Sequence, residues 1–118
     1  RNAAYYDAAF RAAGLTGRVT TPVAFPGHRH IYNQYVIRIP RRDQLRAHLA
    51  ECGVGTEIYY PVPLHMQQCF AYLGHRPGDF PESARAAQET LALPIYPELT
   101  PTQLGHVASS IGRFFGQA

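Results

Sequence analysis

Apolar positions in this chain change period several times, and each change marks an element. Tyr6, Ala9, Phe10 and Ala13 recur at helical spacing, so residues 2–14 are predicted to be a helix that Gly14 terminates. Nothing ahead of Asn2 gives room for a first turn or a hydrophobic staple, so the chain is expected to begin inside a helix, as a fragment would. Residues 15–30 carry Pro22, Pro26 and Gly27 and read as a polar loop. Alternation then takes over. Ile31, Asn33, Tyr35, Ile37 and Ile39 face one way and Tyr32, Gln34, Val36 and Arg38 the other, which predicts a strand with one buried face, closed by Pro40.

Helical spacing returns at Leu45, Leu49 and Cys52, and Gly53 stops that helix. Residues 54–60 read as a short strand, and Pro61 and Pro63 keep residues 61–65 extended. A third helix is expected over 81–90, with Pro81 near its first turn and Ala84, Ala87 and Leu91 inward, followed by a short strand or extended segment over 91–97. The last helix is the clearest. Thr100 is an N-cap, Pro101 stands at N1 and Gln103 at N3, and Leu104, Val107, Ala108, Ile111, Phe114 and Phe115 form its apolar stripe. The order, α-β-α-β-α-β-α with short connections, predicts an α/β chain of the α+β type. Its sheet would be small, mixed or antiparallel, and covered by helices on one side.

Composition narrows the class. At 118 residues and 46% hydrophobic content the chain fits one domain with a real core. No apolar run approaches the roughly 20 residues of a membrane span, and the N-terminus carries no signal-peptide pattern. Cys52 and Cys69 are too few and too far apart for a disulfide framework, so a reduced, cytoplasmic protein is expected. The net charge of +3 does not imply nucleic acid. The densest basic run is Arg41-Arg42 with Arg46 a turn later and Asp43 between them, which reads as a solvated helix face without interleaved aromatic residues.

Candidate chemistry concentrates in two non-helical stretches. HIYNQYVIR carries His30, Tyr32, Asn33 and Tyr35, and IYYPVPLH carries Tyr59, Tyr60 and His65. Tyrosine and histidine both join a flat apolar body to a hydrogen-bonding tip, which suits a binding wall as well as a half-buried sheet. No histidine pair has metal-ligand spacing, so no zinc site is expected, and no nucleophile elbow, phosphate loop or dinucleotide fingerprint occurs. Asp79 and Glu82 flank a proline and read as a turn and helix start rather than a catalytic carboxylate pair.

The runs HIYNQYVIR, RRDQLRAHLAECGVGTEIYYPVPLH and GHRPGDFPESARAAQETLALPIYPELTPTQ together resemble the C-terminal part of the DegT/DnrJ/EryC1/StrS sugar aminotransferases. The motifs RD-x-L, YP-x-PLH, GDFP and LPIYPELT follow one another in that family's order, and the likeness covers residues 2–115. The resemblance implies the small domain of a fold type I pyridoxal phosphate enzyme, residues 1–118 being that C-terminal domain without the larger cofactor-binding one. It implies a homodimer, a nucleotide-linked keto sugar as substrate, and glutamate or glutamine as amino donor. Tyr59 and Tyr60 are the implied substrate-facing residues, with Asn33 and Tyr35 orienting sugar or cofactor by hydrogen bonds. Tyr59 departs from the histidine common in the family, which puts a proton-shuttling role there in doubt. His65 is expected to be a structural hydrogen-bonder that fixes the connector.

One absence limits what the chain does. All 11 Lys+Arg residues are arginine. The Schiff base of such enzymes needs a lysine amine, and a guanidinium stays protonated. The chain alone is therefore expected to be inactive. Two other readings stand beside this one: a non-catalytic ligand-binding or dimerisation module, and a family member that uses the cofactor for dehydration.

Overall fold

The computed structural model describes residues 1–116. Its elements are α1 (Asn2–Ala12), β1 (Tyr35–Arg38), α2 (Arg42–Glu51), α3 (Pro81–Glu89), β2 (Thr90–Leu93) and α4 (Pro101–Phe114), with 3-10 turns at Leu64–Met66 and Gln68–Leu73. β1 and β2 pair antiparallel, Tyr35 opposite Leu93 and Ile37 opposite Leu91. Alternation along each strand then decides the two faces. Tyr35, Ile37, Leu91 and Leu93 turn to a core shared with Tyr6 and Phe10 of α1, Leu45 and Leu49 of α2, and Leu104, Val107 and Ile111 of α4. Helix α4 packs between α1 and α2. The opposite sheet face, carrying Val36 and Ala92, looks toward α3 and the chain around Tyr59.

Both helix stops have the predicted cause. Gly14 and Gly53 adopt left-handed backbones, φ 65° and 73°, where a side chain would be strained. The amides of Leu15 and Val54 then reach back to the carbonyls of Phe10 and Leu49, at 2.9 and 2.8 Å. Leu15, Val54, Phe10 and Leu49 are all buried, so each stop adds an apolar contact to its hydrogen bonds. The start of α4 is also as read. Gln103 N–H donates to Thr100 Oγ1 and Thr100 N–H donates to Gln103 Oε1.

Several expectations change. Residues 15–30 are not a purely polar loop, because Leu15 and Val19 are buried and Thr20 pairs with Arg38 along the outer edge of β1. The first strand starts only at Tyr35. Tyr32 takes a positive φ of 51°, which breaks the alternation and leaves Ile31 77% exposed. Residues 54–60 form no strand and touch the sheet through a single bridge from Glu57 to Ala92. The connector after Pro63 does not stay extended but turns at Leu64.

The basic run is corrected too. Arg42 is only 7% exposed, and its Nη1 donates to the carbonyls of Ala87 and Thr90 at 3.1 and 2.9 Å. These carbonyls end α3, where a cation meets the negative end of the helix dipole. Arg41 instead lies over the Phe114 ring, 4.8 Å from its centroid.

Candidate functional site

Val54 anchors the chain that leaves α2, and Pro61 and Pro63 stiffen the connector that runs on toward Leu64. Between Val54 and Pro61, Glu57 exchanges both backbone hydrogen bonds with Ala92, at 3.2 and 2.8 Å, so this segment lies along the free edge of β2. Ile58 packs against the core. Tyr59 and Tyr60 therefore stand on a held backbone while their side chains remain exposed.

A cavity of about 380 Å³ opens beside them. Its floor is Val36 and Ala92 of the sheet, α3 gives Ala86 and Ala87 as one wall, and Tyr59, Tyr60 and Leu64 form the other. A second hollow of about 440 Å³ continues past Tyr59 to Asn33, Gly55 and Ile95. Tyr59, Glu57, Gln34 and Ala92 line both and form the ridge between them. The surface joins apolar walls to a few hydrogen-bonding tips, the usual make-up of a small-molecule site.

Asn33, Tyr59 and Tyr60 thus come to one side of the sheet. Tyr35 does not. It lies on the core face, fully buried, and its hydroxyl donates to Asp7 Oδ1 at 2.5 Å. Burial, then that carboxylate, pushes the Tyr35 phenol far above its usual range. His65 is not the expected hydrogen-bonder at its buried Nε2, which has no partner among the described residues. Its ring packs on Phe80, with centroids 4.9 Å apart, and fixes the connector by contact instead.

Gln34, Glu57 and Ser83 also line these hollows and are absent from the sequence-derived set. A signal for Glu57 was available, since it stands two residues before Tyr59 in an extended stretch and so shares its side. Nothing in the sequence singled out Ser83, which enters only because α3 folds over the sheet.

Among the described residues no group of three or more His, Cys, Asp or Glu side chains gathers to hold a metal. Cys52 and Cys69 are free thiols. No described helix is long and apolar enough to cross a membrane. A pyridoxal cofactor does not fit this chain as its covalent holder, because the sequence contains no lysine.

Comparison with known proteins places these features. A family model described as the DegT/DnrJ/EryC1/StrS aminotransferase family matches residues 1–112. The chain is 46% identical over 97 residues to a pleiotropic regulatory protein of Geobacillus stearothermophilus, covering 82% of this chain and 26% of that protein. It is 35% identical over 117 residues to a UDP-N-acetyl-3-dehydro-alpha-D-glucosamine 3-aminotransferase of Acidithiobacillus ferrooxidans, covering 94% of this chain and 31% of that one. The crystal structure of S. venezuelae DesV in complex with a ketimine intermediate superposes with a TM-score of 0.86 at 29% identity, over 100% of this chain and 32% of that one. The chain therefore spans between a quarter and a third of the length of these proteins.

Proposed function

Because the chain belongs to the DegT/DnrJ/EryC1/StrS aminotransferase family, we propose that it is the C-terminal small domain of a transaminase acting on a nucleotide-linked keto sugar. The observation that carries this reading is the open sheet face, where Tyr59, Tyr60 and Asn33 surround adjoining hollows large enough for a sugar ring. The larger remainder of the polypeptide faces that surface, holds pyridoxal phosphate and provides the lysine this chain lacks. The cofactor, when bound, supplies the electron sink for amino transfer.

This domain's share is to bind and orient. Tyrosine rings cover the apolar face of a sugar, while hydroxyl and amide tips pair with its hydroxyls. Such contacts set specificity, because a sugar that leaves a buried polar tip unpaired pays its desolvation. Tyr35 acts at one remove. Its bond to Asp7 holds the start of β1, and with it Asn33, against α1. Glutamate or glutamine is the amino donor, and the working enzyme is a cytoplasmic homodimer.

The test is the intact mass and visible spectrum of the natural gene product, followed by incubation with a nucleotide-linked keto sugar and glutamate. The expected result is a mass well above that of these 118 residues, a yellow chromophore, and an amino sugar product. A colourless product of this mass would favour a stand-alone binding module. A coloured protein that removes a hydroxyl without transferring nitrogen would favour the dehydration chemistry.

A further inference from the structure

We propose that Glu57 selects the sugar ring, accepting a neutral, hydroxylated ring and excluding one that bears its own carboxylate; this rests on the nucleotide-sugar reading above. Glu57 is the single charged residue among those lining either the 380 Å³ cavity or the 440 Å³ hollow. Like Asp7, Glu51 and Glu98 it makes no ion pair among the described residues, but unlike them it stands at these hollows; Glu82, Glu89, Asp43 and Asp79 each have a cationic or histidine neighbour.

The carboxylate is held rather than loose. Two backbone hydrogen bonds tie Glu57 to Ala92 at the sheet edge. Its Oε1 accepts from the Ile58 N–H at 2.9 Å, so one oxygen is braced by the main chain. Among the described residues Oε2 has no such bond, and it is the acceptor left for a ligand.

The chemistry of the ridge is set by its members. Tyr59 offers an aromatic face for the C–H side of a pyranose. Gln34, which lines both hollows, offers a donor and an acceptor together. An ionised carboxylate only accepts, so the ring position facing it must donate, as a hydroxyl or an amine does. A second anion at that position meets like charge within a few ångströms. The diphosphate of the substrate is turned away for the same reason, which puts the sugar end of the molecule against Glu57.

The experiment measures binding of isosteric pairs to the full-length protein by calorimetry: UDP-glucose against UDP-glucuronic acid, and the thymidine diphosphate counterparts. Each pair differs in one carboxylate. The wild type is expected to prefer the glucose member by about tenfold, a like-charge penalty of ordinary size near a surface. Glu57→Gln keeps an oxygen for the Ile58 N–H and removes the charge, and it is expected to bring the two members within about twofold. Glu57→Asp keeps the charge and should keep the discrimination. Binding of these probes with a ratio that Glu57→Gln leaves unchanged overturns the role of Glu57 alone. No binding of any probe by the wild type overturns the nucleotide-sugar reading, and this assignment with it.

Discussion

The Tyr35 hydroxyl donates to the Asp7 carboxylate at 2.5 Å and ties the first residue of β1 to the middle of α1. Tyr6 packs beside it at a tilt of 47°, with ring centroids 5.1 Å apart, and donates its own hydroxyl to the Pro94 carbonyl at 2.8 Å. Two buried phenols thus bind α1 to the sheet and to the chain leaving β2.

These phenols predict alkaline sensitivity. Burial pushes Tyr6 up to about 12 from the usual 10.0, with Tyr96 adding to the shift, and Tyr35 is raised further in the same direction. In the unfolded chain both lose their protons near pH 10. Above that pH the folded state holds more protons than the unfolded state, so stability falls as pH rises. The contribution is complete below pH 10 and drains away through about pH 12. Ultraviolet titration of tyrosinate, run beside circular dichroism, is expected to show these two phenols ionising only as the fold is lost. Smooth ionisation of every tyrosine in a protein still folded at pH 12 would contradict this.

Arg42 predicts a large loss on truncation. Its guanidinium is buried and satisfies two carbonyls where α3 passes into β2. Arg42→Ala leaves both without that donor and is expected to cost about 2–4 kcal/mol in denaturant unfolding of the intact protein. Arg42→Lys should recover only part, since a point ammonium lacks the planar fork. Arg46→Ala, one turn on and exposed, is expected to stay within about 0.5 kcal/mol of wild type.

Tyr60 predicts a change confined to the sugar. It is 69% exposed beside the 380 Å³ cavity. Tyr60→Phe keeps the ring and removes the hydroxyl. KM for the nucleotide sugar is expected to rise about fivefold, the size of one neutral hydrogen bond. The visible spectrum of the bound cofactor should not move, because the proposed arrangement leaves the cofactor to the remainder of the polypeptide. An unchanged KM would remove Tyr60 from the substrate wall.

The sequence by itself determined what local physics controls. Thr100 and Gln103 closed a capping box because both partners sit within one turn. Gly14 and Gly53 stopped their helices because a left-handed residue is needed there and glycine adopts it freely. The absence of lysine fixed that no side chain here carries a Schiff base. The run of motifs from HIYNQY to LPIYPELT identified the family.

Only the tertiary structure decided which side each tyrosine serves. Tyr35 and Tyr59 are the same residue type in similar aromatic stretches, yet one is sealed against Asp7 and the other stands over the cavity. Tyr32 turns the backbone out of strand geometry, and the distant pairing of β1 with β2 sets the register that buries Tyr35. Arg42 left the solvent for a similar reason. Its two carbonyl partners lie 45 and 48 residues along the chain, and no short-range pattern brings them to it. Glu57 and Ser83 became neighbours of the candidate site because the sheet edge and α3 enclose one cleft. Period and capping are written within a few residues, whereas a cleft is the meeting of segments the sequence keeps far apart.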